Sequence, residues 1–233
     1  MEAWVELARG PIFRAALTFM VLGLIRHVVI TVWEMNRIVR RAGDKSIPYR
    51  QVIAATLAWL FPVRKVGQRL TYSVTTVTFH VAIIVVPLFL AGHVALWESG
   101  VGLSWPTISN GLADVLTIVA VATALLLVIQ RATARATRAL SRFQDYALPI
   151  VIAVPFAAGF LVMHPAWNPF AYDATLFVHV MSANLLFILI PLTKLSHMVL
   201  LPATQLVSEL AWHFPPDAGS RVAVMLGKQD EAI

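Results

Sequence analysis

Five apolar stretches, each about as long as a bilayer is thick, constrain the fold of this chain more than any other feature. They cover residues 12–33, 74–97, 112–130, 146–163 and 174–200. A helix needs roughly 20 mostly apolar residues to cross the hydrocarbon core of a membrane. The composition agrees, because 59% of the 233 residues are hydrophobic and only 13% are charged, unlike a soluble domain. The sequence therefore predicts an all-α integral membrane protein with five transmembrane helices.

Lysine and arginine are distributed very unevenly between the connecting segments. Eight lie between the first and second spans and four follow the third span, whereas none occurs in residues 70–130 or 143–193. The positive-inside rule places both basic segments in the cytoplasm. It places the N-terminus and Arg14 outside and the C-terminus inside. This topology accounts for the net charge of +6, so we expect contact with the lipid bilayer and no nucleic-acid partner.

The first cytoplasmic segment contains a short apolar stretch between basic residues, at positions 52–61. This pattern is typical of a helix that lies in the membrane interface. A connector buried under the helix bundle is the alternative. We place the five-helix membrane domain at residues 1–202 and a cytosolic C-terminal tail, suited to docking a partner, at residues 203–233.

Four of the seven histidines lie near the ends of the second and fifth spans: His80, His93, His179 and His197. Ionisable side chains at membrane depth are candidates for function, although any single one can instead form a structural hydrogen bond between helices. If each span is one straight helix, His179 and His197 share a face because eighteen residues make five turns. Depth along the helices then pairs His93 with His179 near the outer surface and His80 with His197 near the inner surface. Two such pairs are the axial ligands that two bis-histidine b haems require.

Three of these histidines follow a threonine by four residues, which is the position that a helical side chain overlies. A threonine hydroxyl there could accept the Nδ1 hydrogen and leave Nε2 for iron. The threonines are Thr76, Thr175 and Thr193.

The histidine segments resemble a known family of membrane proteins. The segment HVMSANLLFILIPLTKLSH runs from His179 to His197, and FH at residues 79–80 is followed by AGH at residues 91–93. Over about residues 15–202 the chain resembles the dihaem membrane cytochrome b subunits represented by the gamma subunit of respiratory nitrate reductase, and related subunits of heterodisulfide-reductase-like complexes.

This resemblance implies an electron-transfer subunit with two b haems in the cytoplasmic membrane of a bacterium or archaeon. It would pass electrons between a membrane quinone, bound near the outer haem, and a cytosolic iron–sulfur or flavin subunit. Such a subunit does not act alone on a soluble substrate. Arg26 and Lys194 are candidates for holding haem propionates or protonating a quinone; the alternative is that they extend to the nearby cytosolic surface.

One interval departs from the nitrate reductase branch of this family. Thirteen residues separate His80 from His93, so the two side chains would point about 140° apart on a straight helix. Pro87 lies between them, and a kink with local unwinding there would bring both onto one side. Without it, one of the two is not a ligand.

Two other classes of function remain open at this point. A small transporter or channel could use intramembrane histidines for proton relay or metal binding, and a haem-free anchor could hold a soluble enzyme at the membrane. Neither explains the matched depths of four histidines on two antiparallel spans.

Overall fold

The structure is a computed structural model that describes residues 1–41, 43, 49–60, 70–210 and 217–230. The described residues are almost entirely helical and contain no β-strand. The α-helices are α1 (Glu2–Leu7), α2 (Phe13–Arg41), α3 (Tyr49–Leu60), α4 (Leu70–Phe89), α5 (Ala91–Val101), α6 (Asn110–Thr133), α7 (Arg135–Leu140), α8 (Phe143–Met163), α9 (Tyr172–Leu192), α10 (His197–Leu210) and α11 (Ala218–Met225). A π-helical turn (Ala8–Ile12) joins α1 to α2, and two short 3₁₀ helices cover Pro165–Trp167 and Lys194–Ser196.

Within the described residues, five helices are long and apolar enough to cross a membrane. They are Glu2–Arg41, Leu70–Phe89, Asn110–Thr133, Phe143–Met163 and Tyr172–Leu192. Many of their large apolar side chains are exposed, as is expected where lipid rather than protein covers a helix. The prediction of an all-α chain with five candidate membrane spans is confirmed. The boundaries predicted for the second and fifth spans are wrong.

The second span is interrupted at Leu90, whose extended backbone (φ −66°, ψ 130°) separates α4 from α5. Helix ends leave carbonyl oxygens without partners from their own helix, and three carbonyls are exposed in this way. The carbonyl of Pro87 accepts from Nδ1 of His93 at 3.1 Å, and that of Leu88 from Nε1 of Trp105 at 2.7 Å. The carbonyl of Phe89 accepts from the backbone nitrogen of Ile108 at 2.9 Å. All three carbonyls exposed at the break therefore have a hydrogen-bond donor.

Replacing Trp105 with phenylalanine tests this account of the break, since it keeps an aromatic ring but removes the donor to Leu88. We expect a loss of about 1 kcal/mol in the free energy of unfolding, the usual value of one hydrogen bond, seen as a lower midpoint of thermal unfolding in detergent. Trp97→Phe is the matched control. The Trp97 ring lies 6.3 Å from the Trp105 ring and is tilted by 47° to it, and it has no side-chain hydrogen bond to any described residue. Equal effects of the two substitutions would contradict the role of the Trp105 donor.

The fifth span ends earlier than predicted. Helix α9 stops at Leu192, Thr193 is extended (φ −128°, ψ −174°), and α10 begins at His197 after a 3₁₀ turn. Pro191 supplies a local reason, because proline lacks the backbone hydrogen that continues a helix. His179 and His197 therefore lie on different helices, and the prediction that they share one helix face is wrong.

The chain divides into two compact units, of which the first contains residues 1–20 and 65–193. In it α4 packs on α6, α6 on α8 and α8 on α9, and the N-terminal turns pack on α9. Two contacts fix the direction of the N-terminal segment. Nδ2 of Asn184 donates to the carbonyl of Ala8 at 3.0 Å, and the rings of Phe13 and Phe187 lie 5.8 Å apart.

Phe13 follows Ala8 in the N-terminal segment, and its partner Phe187 follows Asn184 in α9. The N-terminal segment therefore runs parallel to α9. Phe187 follows the first residue of α9 by fifteen positions, or about 22 Å of helix. Arg14, next to Phe13, therefore lies far from the start of α9. The parallel direction agrees with the predicted topology, in which both spans run from outside to inside, and the position of Arg14 at the outer surface stays a prediction.

The second unit contains residues 21–64 and 194–233. In it α3 packs against α10, and a cavity of about 380 Å³ is lined by mostly apolar residues of α2, α3 and α10. Helix α3 covers most of the stretch predicted as an interfacial helix, while Phe61 lies outside the described residues. Of the predicted tail, residues 211–216 and 231–233 also lie outside them. The domain boundary at residue 202 stays a prediction.

Candidate functional site

Two of the four predicted ligand histidines face each other in the first unit. His93 lies in the first turn of α5, directly after the break at Leu90, and His179 lies about two turns into α9. Their imidazole ring centroids are 6.1 Å apart, and the ring planes are within 9° of parallel. Both side chains are half-buried. The structure thus brings together the two residues that the sequence predicts as the outer pair.

Each of these rings is oriented by a hydrogen bond from Nδ1 to the carbonyl of a proline. His93 donates to Pro87 at 3.1 Å, and His179 donates to Pro155 of α8 at 2.8 Å. A carbonyl only accepts, so the hydrogen of the neutral ring is on Nδ1 and its Nε2 carries a lone pair. No described residue forms a hydrogen bond with Nε2 of either ring. This tautomer is the one in which an imidazole binds a metal through Nε2.

Gly159 allows α8 to approach the His179 ring closely. A Cβ atom at Gly159 would lie 2.9 Å from Cε1 and 3.0 Å from Nδ1 of His179, closer than side-chain carbons tolerate. The glycine therefore leaves the space in which the ring lies against α8. Pro155, whose carbonyl holds the ring, is one turn earlier on the same helix.

The spacing of the two parallel rings matches the length that one metal ion between them would require if both Nε2 atoms pointed at it. A metal–imidazole bond is about 2 Å long and the ring centre lies about 1 Å behind the nitrogen, so a shared ion separates the centroids by roughly 6 Å. The observed separation is 6.1 Å. Among the described residues no group of three or more His, Cys, Asp or Glu side chains is placed to hold a metal. Two histidines alone fit an iron whose other ligands come from a porphyrin.

The predicted role of the threonines is wrong, because backbone carbonyls accept the Nδ1 hydrogens instead. His80 donates to the carbonyl of Thr76 at 2.7 Å, and the Thr76 hydroxyl is buried without a hydrogen-bond partner among the described residues. His179 uses Pro155, and His197 uses the carbonyl of Lys194 at 2.8 Å.

The hydroxyls of the other two threonines are engaged within or beside their own helices. Thr175 bonds to Asn168 and to the carbonyl of Ala171, and Thr193 donates to the carbonyl of Leu189 at 2.7 Å. A threonine in a helix commonly donates to the carbonyl four residues earlier. Neither hydroxyl accepts the Nδ1 hydrogen of the histidine four residues later, since Pro155 and Lys194 supply the acceptors.

The remaining predicted site residues are divided between the two units. His80 is half-buried on α4 in the first unit, whereas His197 and Lys194 are exposed in the second. Arg26 is exposed on α2, also in the second unit. The inner pair of His80 with His197, and the roles of Arg26 and Lys194, stay predictions.

Sequence reasoning missed three residues around this site. Pro155 positions His179 through its backbone carbonyl, and Gly159 does so through its lack of a side chain. A pattern of side chains in the sequence predicts neither effect. Asp114 of α6, whose Oδ2 lies 3.3 Å from Nε2 of His164, did have a signal. It is a carboxylate inside an otherwise uncharged candidate span, and such residues are functional candidates.

The chain is similar to a curated protein of Nitratidesulfovibrio vulgaris (strain Hildenborough) whose description reads only "Protein". The two are 31% identical over 197 residues, which cover 82% of this chain and 85% of the relative. No protein-family profile and no solved structure matches the chain.

Proposed function

We propose that this chain, which belongs to the family of the Nitratidesulfovibrio vulgaris protein, is a membrane cytochrome b subunit of a respiratory redox complex. In this proposal it carries electrons between a membrane quinone and a cytosolic iron–sulfur or flavin subunit. Two bis-histidine b haems are its cofactors, with His93 and His179 as the ligands of one and His80 and His197 as those of the other.

The observation that carries this proposal is the pairing of His93 with His179. Their separation of 6.1 Å, the two Nδ1 hydrogen bonds and the space left by Gly159 all suit two axial ligands of one iron. A bound haem would supply reversible one-electron chemistry. The chain itself holds each histidine with Nδ1 bonded to a carbonyl, and Gly159 leaves the space beside the His179 ring free of a side chain.

The topology belongs to the same proposal. The basic residues would lie in the cytoplasm of a bacterium or archaeon, with α3 in the inner membrane interface and the C-terminal residues available to the cytosolic partner. Arg26 and Lys194 would then be on the side of the inner haem, where their positive charge suits a haem propionate or a quinone oxygen.

Quinol-driven reduction of the purified protein tests the function. Anaerobic mixing with menadiol should convert the absorption spectrum to that of ferrous b haem, and dithionite in a parallel sample gives the total reducible haem. Haem that responds to dithionite but not to menadiol would contradict the link to quinone. A purified protein without haem would instead favour the transporter or the haem-free anchor.

A further inference from the structure

A second pair of ionisable side chains joins the end of α8, the helix whose Pro155 carbonyl orients His179, to α6. His164 ends α8, and its Nε2 is 3.3 Å from Oδ2 of Asp114 in the second turn of α6. Gly159, which borders the His179 ring, is five residues before His164, or about 7.5 Å along the helix axis. The two side chains are 27% and 32% exposed, so a small molecule can reach them.

The His164 ring is fixed in one orientation by its neighbours. Its Nδ1 donates to the carbonyl of Phe160 at 2.9 Å. The ring stacks on Phe160 at 4.3 Å and on Trp167 at 5.3 Å. Trp167 is 69% exposed and offers an aromatic face beside the pair.

This orientation requires a proton between His164 and Asp114. Because Nδ1 carries the hydrogen of the neutral ring, Nε2 would face the carboxylate as a second acceptor. Two acceptors 3.3 Å apart repel each other unless one proton lies between them. Among the described residues neither group has a third ionisable side chain in ion-pair contact. The geometry therefore suits one proton shared between Nε2 of His164 and Oδ2 of Asp114.

We propose that Asp114 and His164 exchange the proton of a quinone head group, which stacks its ring on Trp167. This inference rests on the proposed function, which supplies the quinol and, as electron acceptor, ferric haem. The pair would first pass its shared proton to water at the end of α8. It would then accept the proton released when an O–H bond of the quinol breaks, while a bound ferric haem would take the electron. The second hydroxyl repeats these transfers, and quinone reduction reverses them.

The test compares Asp114→Asn with Asp173→Asn in the complete chain. The first substitution keeps the size of the side chain but removes the proton acceptor, while the second makes the same chemical change in the first turn of α9. General acid–base groups contribute about 10²- to 10⁴-fold to rates, so Asp114→Asn should slow haem reduction by menadiol at least about 100-fold. Asp173→Asn should stay close to the wild-type rate, and the conservative Asp114→Glu should recover part of the rate that Asp114→Asn loses.

A second readout follows the proton itself. The redox-difference infrared spectrum should contain a carboxyl band that Asp114→Asn loses and Asp173→Asn keeps. His164→Gln should slow reduction as Asp114→Asn does, with unchanged haem content and an unchanged response to dithionite.

Three results would overturn the inference. If menadiol reduced the haem of Asp114→Asn at the wild-type rate, the inference would be wrong and the proposed function would be unaffected. Loss of haem from both Asp114→Asn and His164→Gln would show that the pair only braces α6 against α8. Failure of menadiol to reduce the wild-type haem would remove the proposed function, and the inference with it.

Discussion

Replacing His179 with alanine should remove one of two b haems and leave the other in place. The substitution deletes one proposed axial ligand of the site where the ring centroids are 6.1 Å apart. Haem per chain, measured as the pyridine haemochrome, should fall to about half of the wild-type value, as expected when one of two separate sites is lost. His197→Ala should remove the other haem.

A double substitution shows whether the two histidines share one haem. His93→Ala should have the same effect as His179→Ala, and the double variant should lose no more haem than either single variant, because ligands of one site act as a unit. If the double variant lost both haems while each single variant lost one, the two histidines would serve different haems. Two intact low-spin haems in both single variants would exclude this pair as ligands.

Gly159→Ala should disturb haem binding at the same site without removing a ligand. The added methyl would meet the His179 ring at 2.9 Å. Because the atoms it meets belong to a side chain, the ring shifts and weakens its hydrogen bond to Pro155. Overpacking of this kind costs about 1–3 kcal/mol. We expect a lower haem content and a changed midpoint potential of the haem that His179→Ala removes.

Gly111→Ala is the matched control for this substitution. A Cβ at Gly111 meets no atom within 4 Å, and alanine is favoured over glycine in a helix by roughly 0.5–1 kcal/mol. The control should therefore keep its haem and unfold at the same or a higher temperature. A Gly159→Ala protein with wild-type haem content and potential would contradict the close-packing role of this glycine.

The number of candidate spans could be predicted from the sequence because the length of an apolar stretch is set by bilayer thickness. The length of an apolar stretch does not predict whether its helix is continuous. Hydropathy stays high across Leu90 and Thr193, although the backbone is extended at both. Each break follows a proline by two or three residues, so Pro87 and Pro191 were the available signals.

The facing of His93 and His179 follows from three-dimensional packing as much as from spacing. On a straight helix the side chains of His80 and His93 would point in different directions. The break at Leu90 begins a new helix, so the angle calculated for a straight helix does not apply to His93. The carbonyl that orients His179 comes from Pro155, 24 residues away on another helix. Likewise, Ala8 and Asn184 meet across 176 residues, a contact that no local pattern encodes.

The reduced-minus-oxidised visible spectrum of the purified protein most directly tests whether His93 and His179 hold a b haem. We predict the bands of low-spin, six-coordinate b haem in the wild type. In His93→Ala the part of these bands that comes from one of the two haems should be absent. A purified wild-type protein without a low-spin b-type signal would contradict the account.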